Sequence, residues 1–402
     1  FLITMSSSAL KRRVAGSVVA ASKRPKARGS SPALALALAS ASAPPLLSLG
    51  DNLVEATFLR RPSARNKSPY VGDIRLPCGR EAIAHMPSMD MGGKLQPGVR
   101  VLVRTATDKA GKPVGSDAQG KFGTPKCEFI MMLLRCEEPE NKACGGCWVG
   151  AHPSIGEKIA HSLVSGGFLD ADLGGTINPV VNVRREVTGI AGTDMRCDFL
   201  LTHADGARTA MEVKTVVDTD YDPALHPPPD DLATTAGPTE TPTKRKSNAA
   251  KGAKARDSPS KAVPIMFLGR PEQTGGRYSR SAIFPWGRSA QVGPEGEKVV
   301  SSRAIKHVRE LTDIASGRKT DNEAKIGGSP LGAAVLFIVV RSDAERFRPN
   351  EDACPSFARY LREAQQAGVR VLVHRVSWGE ESEGLGKVFH DGPLRCDLEE
   401  RI

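Results

Sequence analysis

Two short runs hold the residue types that phosphate chemistry uses. Arg196-Cys197-Asp198-Phe199-Leu200-Leu201 and Met211-Glu212-Val213-Lys214 both read as strands, and Ala204-Asp205-Gly206 supplies a turn between them. A hairpin centred on Asp205 sets Asp198 across from Glu212, and Arg196 across from Lys214. Directly opposed side chains share a face with Cβ atoms roughly 5 Å apart. Two carboxylates that close repel unless a cation lies between them, and the next residue on that face is a lysine. This is a ligand set for a divalent metal acting in phosphate chemistry. The same spacing admits a plainer reading, a solvated cluster in which Lys214 and Arg196 simply pair with the acids. Glu186, on the preceding strand, stands as a further carboxylate.

The rest of the chain must position these groups. Its 402 residues allow two or three domains at ~150 residues each. The net charge is +11, but seven of the 56 lysines and arginines fall in residues 1–49, which hold no acid; that leaves 49 against 45 and a net of +4. The basicity is partly a property of the tail, and it argues for an anionic partner less strongly than the total suggests. Eight cysteines in a chain this long do not make a disulfide scaffold. No uninterrupted apolar run reaches ~18 residues, so a membrane span is not expected.

Residues 1–50 are rich in Ala, Ser, Leu and Pro, with basic clusters at Lys11-Arg12-Arg13 and Lys23-Arg24-Pro25-Lys26. They read as a disordered basic leader that suits a plastid or mitochondrial address, with nuclear import as the alternative. From 51 to 140, short β-like runs separated by Gly, Pro and Asn/Asp have the spacing of a small barrel. From 141 to 380 the pattern is mixed α/β. Trp148 to Phe168 reads as a crossover helix, and three strands follow, from Val180, Arg196 and Arg208. Residues 222–264 lack periodicity and read as a disordered insertion. Val300 to Ile314 forms a helix buried through Ile305, Val308 and Leu311, with Arg303, Lys306, His307 and Glu310 on a neighbouring face. Ala333 to Val340 is apolar throughout, as a buried central strand would be. Residues 381–402 read as a tail.

Beside the hairpin, other groups are candidates for contact with phosphates. Arg303, Lys306 and His307 lie on the helix; Arg60, Arg61 and His85 lie in the barrel. Aromatics make up 5% of the chain, few for a stacking surface. Cys144 and Cys147, with Cys127 and Cys136, give one CxxC pair, and free thiols are the expectation there. No phosphate-binding glycine loop, dinucleotide fingerprint or nucleophile elbow is present.

Several blocks in a fixed order resemble the sugar fermentation stimulation protein A (SfsA) family. They include Leu59-Arg60-Arg61, Ala84-His85-Met86-Pro87-Ser88, Arg196 to Leu201 and Glu212-Val213-Lys214-Thr215-Val216. Ala282-Ile283-Phe284-Pro285, Arg303 with Lys306-His307, Val335 to Arg341 and Phe347-Arg348-Pro349-Asn350 continue the series. Ser88, Trp286, Ala304 and Cys354 depart from the family's usual Asn, Asp, Gly and Asp.

The resemblance implies an N-terminal OB-like β-barrel followed by a PD-(D/E)XK nuclease-like α/β domain with a mixed sheet, and DNA binding. It also implies that Asp198 and Glu212 hold Mg²⁺ or Mn²⁺ while Lys214 orients the attacking water. The expected protein is therefore a nucleic-acid-binding, metal-dependent phosphodiesterase. The alternative is a DNA-binding regulatory protein that keeps the nuclease scaffold without turnover.

Overall fold

The computed structural model describes residues 44–88, 91–143, 145–175, 177–226, 266–270, 275–320, 331–380 and 384–398. The expected leader up to residue 43, with its targeting signal, and the body of the expected insertion, 227–265, lie outside the described residues.

A short strand, β1 (Leu47–Ser48), precedes the barrel strands β2 (Leu53–Arg60), β3 (Val71–Arg75), β4 (Glu81–His85), β5 (Arg100–Thr105) and β6 (Phe129–Cys136). Antiparallel ladders run β4-β3-β2-β5-β6, and a parallel pairing of β4 with β6 closes the ring. Five strands joined this way, with the third parallel to the fifth, have the OB-type connectivity expected. Ile74, Val101, Met131 and Leu134 fill its interior. The chain continues through α1 (Pro139–Lys142) to β7 (Cys147–Gly150), which pairs with β6. The barrel sheet thus runs past the expected boundary at 140, and Trp148 lies on a strand rather than in a crossover helix. Cys136 and Cys147 face each other across β6 and β7 as buried free thiols.

The second sheet begins after α2 (Ser154–Ser165) and α3 (Asp170–Leu173). Its meander is β8 (Val180–Thr188), β9 (Arg196–His203) and β10 (Arg208–Val216). Then come β11 (Ser281–Phe284), the small hairpin β12 (Gln291–Val292) and β13 (Lys298–Val299), α4 (Ser302–Ala315) and β14 (Leu331–Val339). β15 (Arg346–Pro349), α5 (Pro355–Gln366), β16 (Arg370–Trp378), β17 (Lys387–Pro393) and β18 (Arg395–Cys396) complete the chain. The seven-stranded order is β1-β17-β16-β14-β10-β9-β8, with β10, β14 and β16 parallel and the flanks antiparallel.

β14 shows why the sheet is covered on both faces. Ala333, Val335, Phe337 and Val339 pack against α4 and α5, while Ala334, Leu336 and Ile338 pack against α2. Ser301 caps α4, its hydroxyl accepting the Ala304 N–H at 3.3 Å. α2 lies close on β10 because Gly156 faces Thr215, where a Cβ would come within 1.9 Å of the hydroxyl.

The expected tail instead supplies β17 and β18, and β1 places Leu47 and Ser48, expected in the leader, on the sheet's edge beside β17. The reason is burial: Leu49 joins Trp378 and Val388 in one apolar cluster. Barrel and sheet are joined by buried charges. Arg341, with no exposed surface, bonds Glu138 at 2.9 Å and Asp343 at 2.6 Å. Arg280 pairs with the same two acids, and Lys94 pairs with Asp218 at 2.5 Å.

Candidate active site

The hairpin keeps the expected register. Met211 faces Phe199 and Thr209 faces Leu201, which continues to Glu212 across from Asp198. The ladder itself stops at Met211. Beyond it the Asp198 carboxylate takes the place of a backbone acceptor, receiving the Val213 N–H at 2.7 Å. Glu212 is buried at 3% exposure. Its Oε1 accepts from two side chains, Lys214 Nζ on the same strand and His307 Nδ1 on α4, the latter at 2.5 Å. Its Oε2 is buried with no hydrogen-bond partner among the described residues.

The electrostatics separate the two acids. Burial raises the Glu212 pKa, but the His307 hydrogen bond and the Lys214 charge outweigh it and hold Glu212 below the usual carboxylate value. Asp198 has no such donor. Burial, and then repulsion from Glu212, push it up to about 6. A bare pair at neutral pH therefore concentrates unbalanced negative charge beside an unused buried oxygen, and a divalent cation would satisfy both.

The donor set fits a hard cation of the Mg²⁺ type. Asp198 and Glu212 Oε2 would be its protein ligands, and Mg²⁺ commonly takes only one or two carboxylates while keeping several waters. Among the described residues no group of three or more His, Cys, Asp and Glu is placed to hold a metal. Glu186 does not join the pair: its backbone is left-handed (φ 50°), and its carboxylate lies 3.8 Å from Arg196 at the surface.

His307 departs from the expected phosphate contact. It is 5% exposed and engaged with Glu212, although it also lines the floor of a cleft of about 800 Å³. That cleft carries Arg196, Arg303, Lys306 and Arg309 around its walls. Lys306 pairs with Asp194 at 2.7 Å, while Arg303 is exposed. Arg309, overlooked in the sequence, also lies over the Tyr360 ring at 5.4 Å. The structure thus gathers Asp198, Glu212, Lys214 and His307 into one site, with Arg303 and Lys306 beside it.

The barrel residues form no part of that cluster. Arg60 pairs with buried Asp73 at 2.6 Å, Arg61 donates to the Ser88 carbonyl at 2.8 Å, and half-buried His85 faces Val71 and Ile130 across its ladders. Ser88 in turn donates to the Ala151 carbonyl at 2.7 Å, holding the barrel loop to the segment that enters α2.

An OB-type barrel is joined to a mixed sheet covered by helices on both faces, with a carboxylate pair and a lysine on the splayed central hairpin. The family model for the sugar fermentation stimulation protein RE domain matches residues 298–382, from β13 through β16. A sugar fermentation stimulation protein homolog of Symbiobacterium thermophilum is 25% identical over 325 residues, 80% of this chain and 88% of that relative. The Thioalkalivibrio sulfidiphilus homolog is 26% identical over 80% of this chain and 87% of its own. One from Jannaschia is 41% identical, over 24% of this chain and only 34% of that relative's length. The solved structure of Pyrococcus furiosus SfsA in complex with Ca²⁺ superposes with a TM-score of 0.50 at 16% identity, covering 88% of this chain and all of that one. Along most of its length the chain is similar to the sugar fermentation stimulation protein homologs.

Proposed function

We propose that the protein binds nucleic acid, with DNA as the first candidate, and cleaves its phosphodiester bonds with Mg²⁺ or Mn²⁺ held by Asp198 and Glu212. The observation that carries this reading is the buried, unpartnered Oε2 of Glu212 beside a carboxylate raised to about 6. The Ca²⁺ named for the Pyrococcus furiosus relative supports an oxygen-ligand cation in this fold.

When bound, the metal would supply charge neutralisation at the phosphate and a more acidic water. The protein's own groups do the rest. The Val213 N–H orients Asp198, while His307 and Lys214 fix Glu212. Lys214, with its side chain 13% exposed, can turn its ammonium from Glu212 Oε1 toward an attacking water and steady the hydroxide. Arg196, Arg303 and Lys306 offer positive charge to neighbouring phosphates along the cleft. No described helix is long and apolar enough to cross a membrane.

A second reading, a DNA-binding regulator without turnover, draws on Lys214 and its bond to Glu212, since a lysine held there is not yet free to act on water. The test is incubation of the purified protein with single-stranded, duplex and structured DNA and RNA, in Mg²⁺, in Mn²⁺ and in chelator, beside Asp198→Ala and Lys214→Ala. Metal-dependent cleavage lost in both variants supports the enzyme. Binding without cleavage on every substrate supports the regulator, and cleavage unchanged in the variants sinks the assignment.

A further inference from the structure

We infer that His307 is a positioning residue for the metal site, which locks Glu212 so that only Oε2 is offered to the cation. This deepens the proposed metal-dependent reading and rests on it. An ionised carboxylate can only accept hydrogen bonds, so the contact of 2.5 Å requires the proton to sit on Nδ1 of His307.

Lys214 Nζ donates to the same oxygen, so Oε1 already serves two donors. A carboxylate held this way cannot swing to a bidentate grip without breaking both bonds. The remaining oxygen is buried, unpartnered and fixed in direction. The ring itself is immobilised because α4 seats Ala304, Ile305, Val308 and Leu311 in the core on either side of it. A donor that orients a metal-binding carboxylate commonly changes metal affinity 10- to 100-fold when it is removed. His307 was expected to touch phosphate, and the two roles separate cleanly by experiment.

The protein with His307→Leu and with His307→Asn is titrated with Mn²⁺ by calorimetry. The Asn amide nitrogen sits close to the place of Nδ1, so it restores a donor without the ring. Thermal unfolding in chelator establishes that both variants fold. His307→Leu is expected to weaken Mn²⁺ binding by roughly 10- to 100-fold, with His307→Asn within a few-fold of the native protein. Nucleic-acid binding in chelator stays unchanged in both, because a positioning residue does not touch the phosphates.

Native Mn²⁺ affinity in His307→Leu overturns this inference alone. Equal losses in the Leu and Asn variants also overturn it, since they would reflect packing rather than a donor. Weakened metal-free nucleic-acid binding in His307→Leu returns the residue to a phosphate contact. A native protein that binds no Mn²⁺ overturns the metal-dependent reading itself, and this inference with it.

Discussion

Replacing Asp198 by Asn should stabilise the protein and at the same time remove its metal binding. Asp198 lies near 6 against an ordinary value of 3.8, raised by burial and then by Glu212. The folded state therefore holds an extra proton between those values, and stability is lost as pH rises through that window. At ~1.4 kcal/mol per pH unit the ceiling is ~3 kcal/mol above pH 6. The side chain is only partly buried, so solvent screening reduces this to about 1–2 kcal/mol. Asn carries no charge to be repelled, and its amide oxygen can still accept the Val213 N–H. Urea unfolding in chelator should show Asp198→Asn more stable by about 1–2 kcal/mol at pH 8, and by roughly half as much at pH 5. Adding Mn²⁺ should then reverse the order, because a cation at 100-fold its Kd contributes about 2.7 kcal/mol to the native protein alone. A variant less stable than the native protein at both pH values refutes the reasoning, as does a gain that does not change with pH.

Two further outcomes follow from buried charge elsewhere. His390 is held down to about 4, first by burial and then by neighbouring His374, to which it bonds at 3.0 Å. Its folded value lies below its unfolded one, so stability falls as pH drops from about 6.5 toward 4. Because the ring is partly exposed and solvent screens it, the native protein should lose about 1 kcal/mol between pH 7 and 5 from this group, and His390→Gln should flatten that limb of the unfolding curve; an unchanged slope contradicts it. Arg341→Met should cost about 3–5 kcal/mol by denaturant unfolding, because Glu138 and Asp343 lose a buried partner. Adding Asp343→Asn should recover part of the loss, whereas simple additivity of the two would show that Arg341 and Asp343 are not coupled.

The parts that were legible in the sequence are those fixed by short-range rules. One turn between two alternating runs set the hairpin register, so Asp198 and Glu212 were found together. The apolar run of β14 announced a central strand, and the barrel followed from turn spacing.

His307 shows where the reading stopped. Ala304, His307, Val308 and Leu311 share the three- and four-residue spacing of a buried stripe, yet the neighbouring arginine and lysine drew the histidine to the exposed face. The periodicity carries the signal, and the flanking charges mask it. The edge strands β1 and β17 carry no comparable signal. Each is a strand because of what lies beside it, and that is decided by tertiary packing. The junction between barrel and sheet was equally hidden, since Lys94, Glu138, Asp218, Arg280 and Arg341 come together only in the folded chain.

The claim on which everything else depends is a cation between Asp198 and Glu212. Anomalous diffraction from a crystal grown in Mn²⁺ tests it directly. One strong peak is expected at coordination distance, about 2.0–2.6 Å, from an Asp198 carboxylate oxygen and from Oε2 of Glu212, with Oε1 still bonded to His307. A peak bound elsewhere, or an empty pair in a protein that still cleaves with Mn²⁺, would contradict it.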